Sequence, residues 1–148
     1  MVSVSPLTNA VSDNIDKTIQ DLEAGTSPAL AIQGLLMRDV QAMFHGGPEQ
    51  GLHFVDAANA WFGDPKSSVA TTYEDMHAAY FDGWMLIAEA VGRRFIDEHK
   101  AEAVTFSQTA LAENVVMQVI NKVLELEDAV IYGAEVISAY FIAVTEPA

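Results

Sequence analysis

Cysteine is absent from the 148 residues, and positive charge is scarce, with 7 Lys and Arg against 21 Asp and Glu. The first absence removes disulfides, thiol catalysis, thiolate zinc sites and iron–sulfur ligation together. The second leaves a formal net charge of −14, so phosphate backbones and anionic bilayers repel the chain on average. Direct nucleic-acid binding is therefore not expected. The acid is spread rather than gathered in a tail: residues 1–63 hold 7 acidic against 2 basic side chains, and residues 64–148 hold 14 against 5. Such a distribution reads as a solvated surface.

A membrane-length apolar run is also missing. The most apolar stretch, Ala129 to Val144, has 16 residues, contains Glu135 and lacks a basic flank, short of the roughly 20 residues that span a bilayer. Met1 to Asn14 has no Lys or Arg and no long apolar run, so the hallmarks of a Sec signal are lacking. The expected location is the cytoplasm, an assembled particle, or the exterior by a route without a Sec signal.

Proline and glycine are few, 5 and 9, and they punctuate helices. Ser5–Pro6 and Ser27–Pro28 each place a capping hydroxyl before proline at a first helical position. Leu7, Val11, Ile15, Ile19 and Leu22 recur at helical spacing until Gly25. Ile32, Leu35, Leu36, Val40, Met43 and Phe44 do so until Gly46 and Gly47. The very short turn between these stripes predicts a helical hairpin. Pro48 to Gly63 reads as a third helix and Asp64 to Ser68 as a loop. Thr71 with Glu74 and Thr72 with Asp75 fit the capping box of a long helix striped by Tyr73, His77, Tyr80, Trp84, Ile87, Val91 and Phe95. Glu89 with Arg93 and Arg94 with Glu98 are spaced to pair along it. The phase is lost near Val104, and Thr105 with Gln108 offers another capping pair, so a break is expected there.

From Phe106 to Val144 only Gly133 breaks the pattern. Up to Asp128 the stretch is amphipathic. Beyond it, Ile131, Tyr132, Val136 and Ile142 replace the polar half, leaving Glu135 and Ser138 nearly alone. As one helix, its 39 residues would run about 58 Å, against roughly 38 Å for a compact globule of this size. Either the helix folds back near Gly133, or another copy of the chain covers its apolar end. The interface residues expected on the second alternative are Ile131, Tyr132, Val136, Ile137, Tyr140 and Phe141.

The predicted fold class is all-α: a helical bundle of about five helices, with an N-terminal helical hairpin and a long C-terminal helix. Residues 1–148 read as a single helical domain with 1–5 as a flexible leader. Motifs for chemistry are few. Glu74 and His77 have the Glu-x-x-His spacing of a ferritin-like metal site, but no second such pair exists. The plainer reading makes Glu74 a capping residue and His77 a partly buried histidine with a hydrogen-bond partner. His45, beside Gly46, reads as a helix-end residue. No nucleophile elbow, phosphate loop or His-Glu-x-x-His motif occurs. The aromatics and methionines around Trp61, Tyr80, Phe81 and Trp84 read as core rather than a cofactor pocket, and no cofactor is implied.

The expected function is accordingly non-enzymatic: a structural or adaptor protein that self-associates through its apolar C-terminal helix, as a subunit of a shell, filament or secretion assembly. One alternative is an acidic inhibitor that mimics nucleic-acid phosphates and docks on a basic protein. Another is a carboxylate/histidine metal-binding bundle. A shell bridged by Ca²⁺ between carboxylates is a further possibility, although no loop has EF-hand spacing.

Overall fold

The computed structural model describes residues 5–44 and 68–148. These form an all-α bundle of five helices with one two-stranded ribbon. In chain order they are α1 (Ser5–Glu23), α2 (Pro28–Met43), α3 (Ser68–Ala90), β1 (Arg93–Phe95), α4 (Glu98–Ile120), α5 (Leu126–Ala143) and β2 (Thr145–Pro147). The expected helix over 48–63, its following loop, His45, Trp61 and the leader residues before Ser5 lie outside the described residues.

The N-terminal hairpin follows its punctuation. Gly25 adopts φ +97° after α1, and the Ser27 hydroxyl accepts from the Leu30 amide at the start of α2. α1 packs on α2 and α3, and α5 lies against α2 and α4. The core gathers Val11 and Ile15, Leu35, Leu36 and Val40, Tyr80 and Trp84, Val104 and Val116, and Ile137 and Phe141, one group from each helix in turn. Gly83 on α3 lies so near α1 that a β-carbon there would overlap the Ile15 side chain.

Three boundaries differ from the sequence reading. α3 begins at Ser68, so the Thr71–Glu74 and Thr72–Asp75 pairs lie inside the helix rather than at its cap. It also ends at Ala90, well before Val104. Gly92 takes φ +72°, a conformation open to glycine at little cost, and the chain turns into β1, which pairs antiparallel with β2 through Arg93↔Pro147, Arg94↔Glu146 and Phe95↔Thr145. Arg94 accordingly bonds Glu146 at 2.9 Å, across the ribbon. The Asp97 carboxylate then accepts from the Lys100 amide at 2.9 Å and caps α4. Val104 and Thr105 are buried inside that helix.

The third difference concerns the C-terminal stretch, which is two helices. The fold-back comes at Asn121–Glu125, where Lys122 has φ 58°, rather than at Gly133. Helices of 23 and 18 residues measure about 34 and 27 Å, and both fit within the globule, so the argument from excess length fails. Gly133 sits within α5 and brings it close to its neighbours: a β-carbon there would lie 3.0 Å from Leu36 Cδ2 and 3.5 Å from Val115 Cγ2.

Candidate functional site

Two features depart from the usual partition of polar and apolar groups. The first is a polar junction inside the bundle. Asp39 stands on the apolar stripe of α2, between Leu36 and Val40, and is 2% exposed. Its Oδ1 accepts from Asn14 Nδ2 of α1 at 2.8 Å. Its Oδ2 accepts from the Tyr80 hydroxyl of α3 at 2.8 Å and from Gln108 Nε2 of α4 at 3.1 Å. One carboxylate thus ties four helices together. The neighbouring Arg38 is directed elsewhere: its guanidinium donates to Thr18 Oγ1 at 2.7 Å and the Asn14 carbonyl at 3.3 Å, and it stands 3.9 Å from Asp21. Burial pushes the Asp39 carboxyl up from 3.8 to about 7, against the opposing pull of its three donors and of Arg38. Among the described residues, Arg38 Nε, Trp84 Nε1 and Gln108 Oε1 are buried without a hydrogen-bond partner.

The second feature is the outer half of α5. Its inner face, Ala129, Val130, Gly133, Ala134, Ile137 and Phe141, is buried. Phe141 packs against Trp84 in a tilted arrangement and against Phe95 edge to face, at centroid separations of 5.4 and 5.8 Å. The outer face leaves Tyr132 56%, Val136 58% and Ile142 49% exposed, with Ile131 at 36%. Glu135 and Ser138 are nearly its only polar members between Ile131 and Ala143. Alongside runs a groove of about 300 Å³ between α4 and α5, lined by Leu111, Gln118, Val123, Leu124, Tyr132 and Val136. Of the six residues expected at an interface, Ile131, Tyr132 and Val136 face outward and Tyr140 is half-buried. Ile137 and Phe141 are fully buried and belong to the core. That is a correction: only one side of α5 was available to a partner.

The metal candidates are not brought into a donor set. His77 Nε2 lies 3.1 Å from Glu102 Oε2 of α4, while Glu74 is exposed. Among the described residues no three His, Asp or Glu side chains cluster closely enough to hold a metal ion. A larger cavity of about 600 Å³ opens beside the ribbon, floored by Phe81, Met85 and Phe95. Its polar wall is structural. Arg93 donates to Thr145 Oγ1 at 2.8 Å and to the Thr145 and Ile142 carbonyls, closing the C-terminal end of α5, while Arg94 and Asp97 serve Glu146 and the α4 cap.

Asp39 was passed over in the sequence, and Gln108 was read there as a capping partner of Thr105, whereas Thr105 and Gln108 both lie inside α4 and Gln108 bonds Asp39. The signal was available: each interrupts an apolar stripe at helical spacing, Asp39 after Leu35 and Leu36, and Gln108 between Val104 and Ala112. No described helix is long and apolar enough to cross a membrane. No protein-family model matches the chain, no curated protein matches it, and no solved structure does.

Proposed function

We propose that this chain is a non-enzymatic structural protein that self-associates through the outer face of α5. The observation that carries the reading is that Tyr132 and Val136, each more than half exposed, stand beside an apolar groove on the same surface. Isolated exposed apolar side chains need no explanation; a contiguous set along one helix does. A protruding aromatic ring and a groove in one patch suit an isologous contact, in which two copies exchange the same elements across a two-fold axis. A role as a subunit of a shell, filament or secretion assembly belongs to this reading.

Electrostatics gives the proposal its own signature. Two copies each carrying −14 repel one another, and dissolved salt screens that repulsion. Self-association therefore strengthens as salt is added. Docking of the acidic surface on a basic protein would weaken instead. Light scattering across a concentration series, at low and high salt, tests the reading. The expected result is a mass that rises with concentration, and more steeply at high salt. A constant monomer mass at high salt contradicts it.

A further inference from the structure

We infer that Asp39 and Gln108 form a proton-operated latch at the junction of α1, α2, α3 and α4: ionised, the carboxyl accepts from Gln108 Nε2, and protonated, it donates to Gln108 Oε1 after the amide rotates. The proposal goes beyond self-association and does not depend on it.

The geometry shows what the ionised state leaves unsatisfied. In the ionised state three neutral donors converge on the carboxylate at 2.8, 2.8 and 3.1 Å, but among the described residues no cation bonds to it. A desolvated charge bonded to neutral dipoles, with Arg38 acting on it without a hydrogen bond, is unfavourable, and Gln108 Oε1 is left buried without a partner among the described residues. A proton taken from solvent removes the charge, forming one O–H bond. Its new hydroxyl then needs an acceptor. Half a turn of the Gln108 side-chain amide exchanges Nε2 for Oε1 and supplies one, while Asn14 and Tyr80 still donate to the carboxyl.

The surroundings leave the titration to this group. α1 contributes neutral Asn14; Asp13 and Asp16 on the same helix are exposed, and Lys17 pairs with Asp21 at 2.7 Å. α2 contributes Arg38, committed to Thr18 and the Asn14 carbonyl. α3 contributes the Tyr80 hydroxyl and α4 the neutral Gln108 amide. The face that α5 buries, including Val130, Ala134 and Ile137, carries no titratable side chain. The burial that raises the carboxyl toward neutrality acts in the same direction.

Carbon-detected NMR of the intact protein, following the Asp39 carboxyl and the Gln108 side-chain amide through a pH series, tests the latch. The expected result is that the carboxyl titrates near neutral pH and that the Gln108 amide signals move with the same midpoint. A carboxyl that titrates in the ordinary aspartate range overturns the proposal. So does a Gln108 amide that ignores the Asp39 titration. Asp39→Asn provides a second check, because its amide can donate permanently to Gln108 Oε1. This variant should fold and hold Gln108 in the rotated state at every pH. A Gln108 signal in the variant that matches the wild-type high-pH form contradicts the latch.

Discussion

α2 and α5 break the same rule in opposite directions. α2 carries a carboxylate into the centre of the core, whereas α5 carries tyrosine, valine and isoleucine out to water on an otherwise acidic protein. A buried carboxylate and an uncovered apolar face both lower stability relative to a conventional helix, and such departures are where roles other than folding are expected. The comparison also separates the two kinds of role. Asp39 is sealed from solvent and can act only on its neighbours, while Tyr132 and Val136 are open to solvent.

Truncating one residue on each face of α5 should give the largest contrast. Phe141→Ala empties a site packed by Trp84 and Phe95 and should lower unfolding free energy by about 3–5 kcal/mol. Tyr132→Ala, on the opposite face, should change it by less than about 0.5 kcal/mol. Urea unfolding of both variants checks this, and similar losses would mean that the two faces are not distinct.

Asp39 sharpens the other half. Because its folded value is raised from 3.8 to about 7, the folded chain holds a proton that the unfolded chain releases. The resulting stability is fully present below about pH 3.8, declines as pH rises, and is gone above about pH 7. The slope is at most about 1.4 kcal/mol per pH unit. Glu113, raised by partial burial, adds a pull in the same direction. General repulsion among the carboxylates acts on wild type and Asp39→Asn alike, so the difference between their urea midpoints isolates Asp39. That difference should grow in favour of the variant as pH rises; a pH-independent difference would count against a raised carboxyl.

Two smaller effects follow. Arg93→Ala removes the donors that close α5 and should cost roughly 1–2 kcal/mol, with amide exchange accelerating first in the last turn of α5 and in the ribbon. His77→Gln breaks a half-exposed pair with Glu102 and should shift stability by less than about 0.5 kcal/mol. A large loss there would give the pair a structural weight that its exposure argues against.

The fold was legible where local chemistry decides it. Ser27, Pro28 and Gly25 marked the hairpin because caps and turns act within a few residues. The α3 boundary was not legible, because Val91 and Phe95 continue a helical phase that Gly92 and pairing with distant Thr145 override. The break at Asn121–Glu125 was missed for a related reason: Asn121, Lys122 and Glu125 match the polar flank of an amphipathic helix as well as they match a turn. Of the candidate site, the greasy character of α5 was visible in sequence, but which half would be covered depended on α2 and α4. The junction at Asp39 joins residues up to 94 positions apart, from Asn14 to Gln108, and no spacing rule brings those together.

The central claim, that the outer face of α5 holds copies together, is tested most directly by sedimentation velocity on the wild type and on Tyr132→Glu/Val136→Glu at high salt. Wild type should sediment as a concentration-dependent oligomer and the double variant as a folded monomer with unchanged helical content. If the wild type stays monomeric, or the variant assembles just as well, copies are not joined through this face.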